Sequence, residues 1–218
     1  KSDFWARDIK NQDGFYEFDV YHKDDLFLHI KLNIPGFHNI YNALATISTG
    51  YLIGLDKNVI AESLQKFCGA ARRLEKKGEI NGVYLYDDYA HHPTEIASSI
   101  ESLKSLTAGK LIVIFQPHTF SRLKNLMPDF AKSLSSSDYV IIADVYAARE
   151  KNTFGVTSYN LFEILSKINP RCKYIASFEE ISDYAMSIAK KGDIVATIGA
   201  GDINKCLDII LKKYAVRI

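Results

Sequence analysis

Asp87-Asp88-Tyr89-Ala90-His91-His92-Pro93-Thr94-Glu95 follows directly on the apolar run Val83-Tyr84-Leu85-Tyr86. The run reads as a short strand, and Pro93 with the polar residues around it reads as a helix start. Such a strand delivers two carboxylates and two imidazoles from its carboxyl end to the head of a helix. In open α/β sheets that edge is where ligands bind. A turn needs only one of these side chains, so their density marks a site.

Outward from this stretch the same rhythm repeats. Strands are predicted over 83–86, 111–115, 139–143, 173–176 and 194–198, with helices over 93–106, 122–134, 158–168, 178–189 and 202–212. Near-continuous apolar strands alternating with helices predict a Rossmann-like, mostly parallel α/β sheet covered on both faces. Toward the amino terminus the pattern differs. Residues 15–21 and 26–32 read as a hairpin about a polar turn, followed by helices over 40–55 and 58–67. The charged stretch Arg72-Arg73-Leu74-Glu75-Lys76-Lys77-Gly78 reads as a hinge, dividing the chain into 1–76 and 77–218.

At 218 residues and 47% hydrophobic content, the chain is large enough to bury a core. A net charge of +1 with interspersed signs lacks the basic footprint of a nucleic-acid or anionic-membrane binder. No apolar run approaches the roughly 18 residues of a membrane span. Cys68, Cys172 and Cys206 are scattered, with no CxxC pair, and read as reduced thiols of a cytoplasmic protein with no zinc site.

Parallel strands end on one side, so their tips share an edge. Those tips carry Asp87-Asp88, Gln116-Pro117-His118, Asp144 with Tyr146 and Arg149, and Gly199-Ala200-Gly201-Asp202. Carboxylates, imidazoles, guanidinium groups and a glycine turn before a helix, where an anion can bind, meet there. Some of these features have structural readings as well. The glycines can serve a tight turn alone, and they lack the third glycine of a dinucleotide fingerprint. Adjacent residues point apart, so His91-His92 is not a metal pair. Asp87 suits a structural role, at a helix cap or a strand end, as well as it suits a site.

Longer motifs carry a resemblance. Gly36-Phe37-His38-Asn39-Ile40-Tyr41-Asn42-Ala43-Leu44-Ala45 resembles the G-x-HN-x-x-NALA pattern of the Mur ligases, and Arg72-Arg73-Leu74-Glu75 resembles their hinge arginine sequence. DDYAHHPTE, QPHTFSR, DVYAAREK and GAGDI follow in the order of the branch that joins L-alanine to UDP-N-acetylmuramate. The resemblance implies ATP-dependent formation of an acyl phosphate on the muramyl carboxylate, attacked by the amine of L-alanine in peptidoglycan precursor synthesis.

It also implies residue roles. Asn39 and Asn42 fall where the family holds adenine, and Arg73 falls at the arginine directed to the phosphates. Asp88 falls at the ribose-binding aspartate. Tyr89, His91, His118 and Arg122 correspond to positions facing the muramyl substrate and the amino acid. His91 is the candidate for removing the ammonium proton. Some members carry an arginine where this chain has Thr119, which implies an altered contact to the substrate carboxylate. No phosphate-binding loop with its lysine occurs in the 218 residues. The expectation is therefore the end of a central ATPase domain plus a complete third domain. Most Mg2+ ligands and the natural interface would then belong to preceding domains, and the isolated chain would be inactive. The alternatives are a ligase that reattaches an intact tripeptide to the same nucleotide sugar, and a non-catalytic nucleotide-binding module.

Overall fold

A computed structural model describes residues 2–215. The chain divides into two compact units, Lys1–Ala70 and Ala71–Ile218. The division at Ala70/Ala71 lies upstream of the charged stretch. Glu75–Ile80 is a strand that takes in the last four residues of the stretch read as a hinge, and position 76/77 falls within it.

Unit 1 is a three-stranded antiparallel sheet of β1 (Phe4–Gln12), β2 (Phe15–His22) and β3 (Asp25–Pro35), joined by α1 (His38–Leu52) and α2 (Lys57–Lys66). Alternation places Phe18 and Val20 of β2 with Leu28, Ile30 and Leu32 of β3 on one face. There they pack with Ile40, Ala43 and Ile47 of α1 and Ile60 of α2. Asp56 caps α2 by accepting from the amides of Asn58 and Val59. The hairpin and both helices match the sequence reading. The first strand was not expected, because most of its side chains are exposed and its register is broken by a bulge between Arg7 and Lys10.

Unit 2 holds a six-stranded sheet in the order β4 (Glu75–Ile80), β5 (Val83–Asp88), β9 (Ile194–Ile198), β6 (Leu111–Phe115), β7 (Tyr139–Ile142) and β8 (Cys172–Tyr174). Only β4, the charged edge strand, runs antiparallel. The others pair in parallel, and β9 inserts between β5 and β6. Leu111, Val113 and Phe115 point to one face, where α3 (Pro93–Ser105), α4 (Phe120–Leu134) and α5 (Ser158–Leu165) cover them. Ile112 and Ile114 point to the other, beneath α6 (Phe178–Ile188) and α7 (Lys205–Tyr214). Burial on both sides is why these strands read as unbroken apolar runs. Pro128 lies inside α4, and the helix departs from regular geometry at Leu126, two residues earlier, as a missing N–H and a ring clash require.

Candidate functional site

In unit 1, Asn39 and Asn42 line one apolar pocket of about 520 Å3, together with Ala43, Thr46, Ile60 and Phe67. The two amides are not equivalent. Asn39 Nδ2 donates to the Pro35 carbonyl at 2.7 Å, and its oxygen accepts from Asn42 Nδ2 at 2.8 Å. Asn39 therefore orients Asn42. The pocket offers an apolar slot with a held amide at its wall, a donor set that fits a purine edge.

In unit 2, the parallel strands bring the expected tips together at one edge. Its inner layer is built on Asp87 and Asp88, which are 1% and 5% exposed. Asp87 accepts from Arg72 Nε at 2.8 Å and from the Thr197 hydroxyl at 2.7 Å. The Arg72 guanidinium continues to the carbonyls of Gly201 at 3.0 Å and Gly199 at 2.8 Å. Arg72 has a left-handed backbone, φ 58°, held by Glu75 on its amide and by the Tyr89 amide on its carbonyl. The glycine turn is thus occupied from within. It also does not lead straight into a helix, since α7 begins only at Lys205. Gly201 is required for a steric reason: a Cβ there would lie 2.3 Å from Gln116 Oε1 and 2.6 Å from Tyr146 Cγ.

Asp88 accepts from the Leu74 amide at 2.8 Å, the Ala90 amide at 2.7 Å and the Ser99 hydroxyl at 3.2 Å. Burial raises its pKa, against the lowering pull of those donors. A carboxylate offers about four acceptor positions, so little remains for an external hydroxyl. Arg73, by contrast, is exposed, and its guanidinium lies 5.9 Å from the centroid of the Tyr89 ring. Sequence reading singled out Arg73 and passed over Arg72, Thr197 and Ser99, whose partners are remote in the chain.

The outer layer is Tyr89, His91, His118, Tyr146 and Arg122. Tyr89 is 36% exposed, beneath the Arg72 guanidinium at 4.9 Å and edge-on to His91. His91 Nδ1 is 3.0 Å from the Tyr89 carbonyl, and the His91 and His118 ring centroids are 5.9 Å apart. His118 stacks on Tyr146 at 5.7 Å, and its Nδ1 is 3.1 Å from Arg122 Nη1. Burial first, then the charges of Arg122 and His91, hold His118 below its usual pKa. His92 points elsewhere: it caps α3 in a reciprocal arrangement with Glu95.

Thr119, between His118 and Arg122, adopts φ 66°, a costly conformation for a β-branched residue. It is held by its amide to the Tyr146 carbonyl at 2.9 Å. Glu150 closes the same loop, accepting from the Ser121 amide at 2.9 Å and the Ser121 hydroxyl at 2.5 Å. Those bonds hold its carboxyl below the ordinary range. Asp144 is turned to Tyr174, whose hydroxyl donates to it at 2.5 Å and is pushed up to about 12. Among the described residues no group of three or more His, Cys, Asp or Glu could hold a metal ion, and no helix is long and apolar enough to cross a membrane.

A doubly wound sheet with histidine and arginine side chains at the carboxyl ends of its strands has the arrangement at which open α/β sheets generally take their ligands. The chain belongs to the Mur ligase family: residues 72–201 match the description "Mur ligase, glutamate ligase domain". It is 61% identical over all 218 residues to the UDP-N-acetylmuramate–L-alanine ligase of Caldicellulosiruptor saccharolyticus, covering 48% of that protein. The crystal structure of the UDP-N-acetylmuramate–alanine ligase MurC of Thermotoga maritima superposes with a TM-score of 0.82 at 25% identity, over 98% of this chain and 46% of that one. The fold also matches the MurF ligase of Thermotoga maritima, solved in complex with ADP, at a TM-score of 0.73 and 18% identity over 100% of this chain and 48% of that one. The chain spans about half the length of the curated relatives it matches.

Proposed function

We propose that this chain supplies the amino-acid- and ATP-contacting half of a cytoplasmic enzyme that joins L-alanine to UDP-N-acetylmuramate using ATP. The observation that carries the reading is the convergence of Arg73, Tyr89, His91, His118 and Arg122, from three separate segments, on one edge of unit 2. The 61% identity to a relative bearing that name supports the same substrates. In this reading unit 1 is the carboxyl-terminal portion of a central ATP-binding domain, and unit 2 is the third domain.

Asn39 and Asn42 hold the adenine, with Asn42 as the contacting amide and Asn39 as its support. Arg73 neutralises charge on the phosphates, for which its exposed guanidinium is suited. Asp88 serves the ribose through its remaining acceptor position while anchoring the turn at Leu74. In this reading most ligands of the Mg2+ that accompanies ATP come from the rest of the enzyme. The muramyl carboxylate takes the γ-phosphoryl group, and the amine of L-alanine then displaces phosphate to form the amide. His91, His118, Tyr89 and Arg122 receive the amino acid and the muramyl group.

The test is phosphate release from ATP by the full-length enzyme with UDP-N-acetylmuramate, comparing L-alanine with the intact tripeptide, and with this chain alone alongside. Turnover with L-alanine, and none from the chain alone, is the expected result. Preference for the tripeptide would reassign the substrate, and no turnover with either would leave a binding module.

A further inference from the structure

The two site histidines face opposite kinds of partner. His91 Nδ1 lies 3.0 Å from the Tyr89 carbonyl and 3.6 Å from Glu95 Oε2, both acceptors only. Nδ1 must therefore carry the proton, which leaves the lone pair of the neutral ring at Nε2. His118 Nδ1 lies 3.1 Å from Arg122 Nη1, and a guanidinium can only donate. His118 Nδ1 must therefore be the acceptor, which places its proton at Nε2. The groups facing His118 agree: Arg122 and His91 disfavour a charged ring, and Glu150 opposes them more weakly.

We propose that His91 and His118 are a pair locked in opposite tautomers, His91 presenting a base at Nε2 and His118 a hydrogen-bond donor at Nε2, with Arg122 as the positioning residue that fixes the second. The inference deepens the ligase reading above and rests on it for its chemistry. His91 Nε2 takes one proton from the ammonium group of the amino acid, freeing the nitrogen pair. That pair forms the C–N bond at the acyl carbon, and negative charge moves onto the carbonyl oxygen. His118 Nε2–H donates to that oxygen without giving up its proton. The C–O bond to phosphate then breaks, and the departing phosphate takes the second N–H proton. A neutral His118 suits this task, because a charged ring beside Arg122 would be repelled from it.

The tautomers can be read directly, on this chain and without any ligand. Long-range 1H–15N correlation spectra of histidine-labelled protein at mildly alkaline pH, assigned with His91→Gln and His118→Gln, separate protonated from unprotonated ring nitrogens. The expected pattern is protonated Nδ1 in His91 and protonated Nε2 in His118. The same tautomer in both, or averaging in either, overturns the proposal. Arg122→Met should release His118 into a tautomer mixture with a higher pKa, and Arg122→Lys, which still donates, should restore the lock. An unchanged His118 spectrum in Arg122→Met overturns the positioning role.

The catalytic split is read in the full-length enzyme. A glutamine amide can replace a donor at Nε2 but not a base, so His118→Gln should keep kcat within about tenfold while His118→Phe loses 100-fold or more. His91→Gln should lose at least 100-fold in kcat. Equal losses in both glutamine variants would overturn the division of roles. Failure of L-alanine turnover with the tautomers intact would instead overturn the ligase reading alone.

Discussion

The inner and outer layers of the same sheet edge use polar groups in opposite ways. Asp87, Asp88, Arg72 and Thr197 spend nearly all their hydrogen-bonding capacity on one another and on the backbone. Tyr89, His91, His118 and Arg122 are half-buried or exposed, with capacity left over. Buried polar groups are stabilising only when fully satisfied, since an orphaned one carries its whole desolvation penalty. The inner carboxylates therefore set the shape of the edge, and the outer ring nitrogens are left for chemistry. Of the two adjacent aspartates, the resemblance singles out Asp88 and leaves Asp87 open, yet the fold gives both of them structural partners.

That contrast can be broken by substitution. The largest effect is expected from Asp87→Ala. It strands the Arg72 guanidinium and the Thr197 hydroxyl, and should destabilise unit 2 by about 3 kcal/mol in urea unfolding. A loss below about 1 kcal/mol would mean that Arg72 is held by the two glycine carbonyls alone. Next comes Asp88→Asn, which turns an amide nitrogen toward a backbone N–H and should cost about 2 kcal/mol. Unchanged stability there would return Asp88 to a purely ligand-binding role.

Gly201→Ala forces the Gln116 and Tyr146 side chains to move and should cost roughly 1 to 2 kcal/mol, the low end of the overpacking range because Tyr146 is partly exposed. It should also shift the His118 ring resonances, since His118 stacks on Tyr146. The smallest effect concerns pH. His118 has a lowered folded pKa, so above its ordinary value of about 6.5 both states are neutral and stability is unaffected. As pH falls from there toward the lower folded value, the unfolded chain takes up the proton first and stability declines. His118→Gln should remove that part of the acid slope, which begins as pH falls through the ordinary histidine value of about 6.5. An identical slope in the variant would show that His118 is not depressed.

Legibility from sequence differed from element to element for physical reasons. Strands β5, β6 and β9 were readable because burial on both faces demands continuous apolar residues. The first four residues of strand β4, Glu75-Lys76-Lys77-Gly78, read as part of a hinge because an edge strand needs no such run and is kept polar against unwanted pairing. Strand β1 was hidden in the same way, most of its side chains being exposed. The site residues of the DDYAHHPTE and QPHTFSR segments were named from their motifs, but the work of Arg72 was not. Its partners Gly199 and Gly201 lie 127 and 129 residues away, and no local pattern records that contact.

The sequence alone determined the alternation of strands and helices, the polar strand tips and the family, since periodicity and motif are local properties of the chain. The tertiary structure decided which of those tips are spent and which are free. It also decided which groups face the ring nitrogens of His91 and His118, because satisfaction of a hydrogen bond depends on what the fold places opposite it.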